Sequence, residues 1–177
     1  GIVVVDEAYI DFSSDESWSK RLNDFPNLIV TQTLSKAYGM AGIRLGICYA
    51  SKEIIEILNR IKPPYNVNEL TQQKAKERLL KFDDVQLEIQ SILSERDRLE
   101  MDIGEISFIE KIHTSDANFL LVKVDNANKR YDELIEKGIV IRNRTTQPLC
   151  INTLRFTVGT KEENTALIEA LKSLDND

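Results

Sequence analysis

The run Ile2-Val3-Val4-Val5, ending at Asp6, constrains the fold of this chain more than any other feature. All four residues are β-branched, a chemistry that suits the pleated surface of a strand. They are apolar at every position rather than at alternate ones. That pattern predicts a parallel strand buried on both faces. A second strand is expected at Asn27–Thr33, after the turn that Pro26 marks, and the polar stretch Ser13–Asn23 between them reads as a short helix or loop. In open α/β sheets, ligands bind at the carboxyl ends of such strands. The first ends in Asp6-Glu7-Ala8-Tyr9 and the second in Thr33-Leu34-Ser35-Lys36. Only Gly1 precedes the first run, whereas domains rarely open on a core strand, so a preceding segment of the natural protein is expected to be absent here.

Three glycines, Gly39, Gly42 and Gly46, then fall within eight residues, which predicts an irregular loop passing close to something. A strand is expected to resume over Ile43–Ala50, with Ser51 placed to cap a helix over Lys52–Arg60. Pro63-Pro64 breaks the pattern. Helices follow over Glu69–Leu80, with Asn68 or a neighbour as cap, and over Val85 to about Ile103, where Gly104 stops the run. Strands near Ile106–Ile109 and at Asn118–Val124, a helix at Asn128–Lys137 with Gly138 after it, strands at Ile139–Arg142 and Leu154–Val158, and a closing helix at Glu162–Leu174 complete the reading. The alternation points to α/β or α+β layers. The long helix bridges two domains, with the division placed inside it: residues 1–95 and residues 96–177.

Composition removes several function classes. A net charge of −6 repels nucleic-acid backbones and anionic membrane surfaces. No apolar run approaches the length of a bilayer span and no signal-like leader opens the chain, so a cytoplasmic protein is expected. Two cysteines and one histidine make neither a metal signature nor a disulfide framework, and Cys48 in its apolar stretch is expected to be a buried thiol.

The two strand ends and the loop between them bring a carboxylate (Asp6), a phenol (Tyr9), two hydroxyls (Thr33, Ser35), an amine (Lys36) and a guanidinium (Arg44) into one crevice. Taken singly, each has a plain reading. Asp6 is as well suited to capping the following turn, Lys36 to being solvated, and Arg44 to a surface ion pair. Together they meet the needs of a phosphorylated pyridine aldehyde. A carboxylate keeps the ring nitrogen protonated, a lysine forms an imine, and hydroxyls with an arginine fork hold a phosphate.

The segments VVVDEAYIDF and TLSKAYGMAGIRLG, with Tyr9 three residues after Asp6, Lys36 thirty after it, and Arg44 eight after Lys36, resemble the fold-type-I pyridoxal-phosphate (PLP) aminotransferases. Within them the likeness is strongest to the histidinol-phosphate aminotransferases, and it continues through SDANFLLVKV, GIVIRNR and LRFTVGTKEEN. The resemblance implies an α/β fold: part of the family's PLP-binding large domain, a mostly parallel sheet with helices, followed by a small α+β C-terminal domain. It implies PLP as cofactor, with Lys36 as the imine-forming, proton-shuttling residue. Asp6 would pair with the ring nitrogen, Tyr9 would donate to the ring oxygen, and Thr33, Ser35 and Arg44 would hold the phosphate. Arg155, with Arg142 thirteen residues earlier, would grip the substrate's anionic group. Period two puts Arg142 and Arg144 on one strand face, so a strand-edge charge is the plainer reading of Arg142. The implied activity is transamination between histidinol phosphate and 2-oxoglutarate, giving imidazole-acetol phosphate and glutamate for histidine biosynthesis, in a homodimer. Alternatives on the same scaffold are another class I/II aminotransferase, a threonine-phosphate decarboxylase, or a non-catalytic aminotransferase-like fragment. The family's ring-stacking aromatic, its asparagine beside the ring oxygen and its backbone donors to the phosphate have no matching motif here.

Overall fold

A computed structural model describes residues 1–175. It divides into two compact units, Gly1–Ile89 and Gln90–Asp177.

The first unit is built on a three-stranded sheet of β1 (Val3–Asp6), β2 (Leu28–Thr33) and β3 (Gly46–Ala50), in that order. β1 runs parallel to β2, with Asp6 opposite Thr31, and β2 runs antiparallel to β3, with Thr33 opposite Gly46. Short 3-10 helices at Ile10–Phe12, Trp18–Arg21 and Ala41–Ile43 carry the connections. The helices α1 (Lys52–Ile61) and α2 (Glu69–Leu79) follow. α2 starts as its sequence predicts, the Asn68 side chain accepting the Thr71 N–H at 2.9 Å. The Ser51 side chain, by contrast, makes no capping bond to α1. Phe12, Leu28, Val30, Leu34, Ala37 and Ala75 are buried in this unit.

Three further expectations fail in it. β1 is not covered on both faces: Val3 and Val4 are 53% and 60% exposed. Among the described residues β1 is an edge strand paired with β2 alone, so its apolar run lacks the layers that a central parallel strand has. Cys48 is exposed rather than buried, because β3 is the other edge. The strand expected from Ile43 begins only at Gly46, since Ala41–Ile43 close a 3-10 turn.

α3 (Phe82–Ile103) runs through the division at Ile89. The second unit has a four-stranded antiparallel sheet of β4 (Ile109–His113), β5 (Phe119–Val124), β7 (Thr153–Thr157) and β6 (Arg142–Asn143), in the order β4-β5-β7-β6. β5 alternates strictly between half-buried and buried positions. Leu120, Val122 and Val124, with Leu154 and Phe156 of β7, form the core with Leu99 and Ile103 of α3, Ala127 and Leu134 of α4 (Ala127–Glu136), and Leu167, Ile168 and Leu171 of α5 (Lys161–Asp175). Gly138 takes the left-handed conformation (φ 78°) that ends α4, and the Ile139 N–H returns to the Leu134 carbonyl. That return takes Ile139–Ile141 out of the ladder, which is why β6 is two residues long rather than the expected Ile139–Arg142 strand. Ile106 and Phe108 are buried in a turn, and the first strand of this unit starts at Ile109. No helix among the described residues is long and apolar enough to cross a membrane.

Candidate active site

The site in the first unit is assembled from the carboxyl ends of β1 and β2. Leu34 and Ala37 are buried, and between them the chain turns so that Lys36 stays exposed. The turn closes through the Gly39 N–H to the Lys36 carbonyl (3.0 Å) and the Met40 N–H to the Leu34 carbonyl (2.9 Å). Gly39 has φ 67°, a conformation that costs an L side chain more than it costs glycine. The Lys36 ammonium lies 5.1 Å from the centre of the Tyr9 ring, within cation–π range. Two groups twenty-seven residues apart, just beyond the ends of two different strands, are thereby brought together.

Thr33 and Ser35 also meet. The Thr33 hydroxyl lies 2.9 Å from Ser35 Oγ and accepts the Ser35 N–H at 3.1 Å. Asp6 turns inward on its own chain: its Oδ1 accepts the Ala8 N–H at 3.0 Å, the turn-capping role that its residue type allows. The carboxylate remains exposed, with acceptor capacity to spare. Arg44 is exposed, holds the left-handed conformation (φ 54°, ψ 48°), and donates from Nη1 to the Ala41 carbonyl at 3.0 Å. A non-glycine residue in that region is strained, and such strain gathers at ligand clamps.

Sequence reasoning passed over the residues that hold this loop and the β1 end. Arg78 of α2 donates from Nε to the Tyr38 carbonyl at 2.9 Å, and its guanidinium is itself paired with Glu88. That pairing holds the Glu88 carboxyl below its ordinary range. Glu7 is buried at 6% exposure and accepts hydrogen bonds from Ser17 Oγ, the Trp18 N–H and Gln32 Nε2. One signal was available for it: Val3, Val5 and Glu7 share a face by period two, so a carboxylate continues an apolar stripe. Nearby, burial raises the Asp11 carboxyl above its ordinary value, with Glu7 adding to the effect.

In the second unit, Arg142 and Arg155 are direct partners across β6 and β7. Their side chains therefore leave the same face of the sheet, the one opposite the core. Leu121 lies on the other side of Arg155 in the same row. The Arg155 guanidinium stands 5.0 Å from the Phe119 ring, and its Nε is buried with no hydrogen-bond partner among the described residues. Two like charges opposite one another on paired strands are destabilising, and a buried donor left unpaired costs more. An anion would relieve both.

The description "Aminotransferase class I and II" fits residues 1–171. The chain belongs to the class I and II aminotransferase family. Among curated aminotransferases, it is 65% identical over 175 residues to the histidinol-phosphate aminotransferase of Flavobacterium johnsoniae, a match covering 99% of this chain and 50% of that protein. Its fold matches the crystal structure of the histidinol-phosphate aminotransferase from Clostridium acetobutylicum with a TM-score of 0.92 at 28% identity, over 99% of this chain and 54% of that one. The Sinorhizobium meliloti histidinol-phosphate aminotransferase, solved in complex with pyridoxal-5'-phosphate, shares the fold with a TM-score of 0.82 at 23% identity, over 98% and 49% of the two chains. This aminotransferase chain thus spans about half the length of the curated relatives it matches.

Proposed function

We propose that these residues carry the cofactor lysine and an anion-binding part of a PLP-dependent histidinol-phosphate aminotransferase. Its reaction is the transamination of L-histidinol phosphate with 2-oxoglutarate to imidazole-acetol phosphate and glutamate. The observation that carries the reading is the Lys36 amine set against the Tyr9 ring where β1 and β2 end. Residues 1–95 are read as part of the PLP-binding large domain and residues 96–177 as the small domain, in a cytoplasmic homodimer.

The donor set suits the cofactor. Thr33, Ser35 and Arg44 offer two hydroxyls and a guanidinium to a phosphate, and Asp6 offers an exposed carboxylate to a pyridine nitrogen. When bound, PLP supplies an aldehyde that condenses with amines and a protonated ring that takes up electron density from a substrate carbon. Lys36 Nζ would hold that aldehyde, and its amine would hold or move a proton at the substrate α-carbon. Tyr9, whose ring faces Lys36, keeps the amine in place and offers its hydroxyl as a donor. Arg155 and Arg142 hold the phosphate of one substrate and a carboxylate of the other, anions that guanidinium forks grip equally well.

The test is direct. The purified chain is incubated with PLP, reduced with borohydride and mapped by mass spectrometry. A phosphopyridoxyl adduct on Lys36, and its loss with the visible band in Lys36→Ala, is the expected result. A visible band that survives Lys36→Ala overturns the assignment.

A further inference from the structure

We infer that Glu7 is a positioning residue for the cofactor site, setting the Tyr9–Lys36 geometry through hydrogen bonds rather than through its charge. The inference rests on the PLP reading given above. Glu7 lies one residue beyond β1, between Asp6 and Ala8, and each of its polar atoms is engaged. Its N–H donates to the Thr31 carbonyl at 2.8 Å, extending the β1–β2 ladder by one bond. Its carbonyl accepts the Ile10 N–H at 3.2 Å, the first link of the 3-10 turn that carries Tyr9. Its Oε1 accepts the Trp18 N–H at 2.7 Å. Its Oε2 accepts Ser17 Oγ at 2.7 Å and Gln32 Nε2 at 2.9 Å.

One side chain therefore ties three segments together: the β1 end with Asp6, the start of the 3-10 helix at Trp18, and β2 just before Thr33. Among the described residues, the hydrogen-bond partners of this buried carboxylate are all neutral donors. An ordinary buried acid would be matched by a lysine or arginine, or replaced by an apolar residue. What this arrangement supplies is direction. The chain must reverse between Glu7 and Phe12 to bring the Tyr9 ring back over Lys36, and the Phe12 N–H to Tyr9 carbonyl bond (3.0 Å) completes that reversal. If the Glu7 anchor is lost, the turn holding Tyr9 and the flanking Asp6 is free to shift, and displacements of about 1 Å in such sites cost on the order of a hundredfold.

Glutamine can reproduce the geometry without the charge. Its oxygen accepts the Trp18 N–H, and its amide donates to Ser17 or to Gln32, whose own amide can turn to accept. Alanine reproduces nothing. Wild-type chain, Glu7→Gln and Glu7→Ala are titrated with PLP, following the visible band and the borohydride adduct on Lys36. Melting by circular dichroism and the emission of Trp18, the sole tryptophan, are read alongside. The expected result is PLP affinity close to wild type for Glu7→Gln and roughly tenfold to a hundredfold weaker for Glu7→Ala in its folded fraction, with a shifted Trp18 emission. Should Glu7→Ala not fold, the double variant Ser17→Ala/Gln32→Met removes both donors to Oε2 and is expected to weaken PLP in the same direction. Folded Glu7→Ala or double variant binding PLP like wild type overturns the inference and leaves the function standing, as does Glu7→Gln falling as far as Glu7→Ala. A wild-type chain that forms no Lys36 adduct overturns the function and this inference with it.

Discussion

Replacing Arg155 with methionine should make the second unit more stable while removing its response to anions. The Arg155 Nε is buried with no partner, and an unsatisfied buried donor costs about 1–3 kcal/mol. Methionine has no donor to leave unpaired, and it also removes one of two positive charges that face each other across β6 and β7. What is lost is the contact of the guanidinium with the Phe119 ring, 5.0 Å away, worth about 0.5–1 kcal/mol at a partly exposed site. Methionine recovers some of this, because its sulfur packs well against aromatic rings. The balance favours Arg155→Met by roughly 1 kcal/mol, which for a domain of this size is a rise of about 4–8 °C in melting temperature. Amide exchange of β5 and β7 reports this unit, and inorganic phosphate serves as the probe anion. Wild-type protection should rise with phosphate, because a ligand of the native state stabilises it by mass action, and the variant's should not. A variant less stable than wild type, or one that phosphate protects equally, would refute the claim that Arg155 holds an unmet donor for an anion.

Two further outcomes follow from the second unit. Arg130, only 9% exposed, grips Asp125 with two bonds (3.0 and 2.8 Å) while its guanidinium covers the Phe108 ring, and the hydrogen bond from Arg130 holds the Asp125 carboxyl below its ordinary value of 3.8. A carboxyl depressed in the folded state stabilises above its unfolded value and loses that contribution as pH falls through the folded one. Acid titration followed by circular dichroism should therefore show stability falling below about pH 4, with a shallower fall in Asp125→Asn; identical acid limbs would exclude the pair as a cause. Leu154→Ala, at a fully buried core position of β7, should cost about 2–5 kcal/mol by urea unfolding, whereas Val140→Ala, at 79% exposure, should change the midpoint little.

Local chemistry was legible where it decides the outcome locally. Asn68 caps α2 and Gly138 ends α4, each because the cause lies within a few residues of the effect. β1 and Cys48 were misread for the opposite reason. An apolar run shows that a segment tolerates burial, but which strand is an edge depends on neighbours far along the chain. The site divides in the same way. Lys36, Asp6 and Tyr9 stand at strand ends, where the run of residues itself locates them. Glu7 went unremarked inside the same motif because its donors, Ser17, Trp18 and Gln32, are ten to twenty-five residues away. The pairing of Arg142 with Arg155 was visible as a likeness to relatives. As geometry it depends on the register across β6 and β7, which no single segment encodes.

The open side of β1 bears on how the chain behaves at high concentration. Its backbone donors and acceptors on that side face away from β2, beside exposed Val3 and Val4, and none of the charges or prolines that usually blunt such an edge lies within Ile2–Val5. A strand of that kind is a template for another strand. Among the described residues β1 is therefore an edge at which a further strand would pair through its main chain, a pairing that Val4→Lys is expected to weaken.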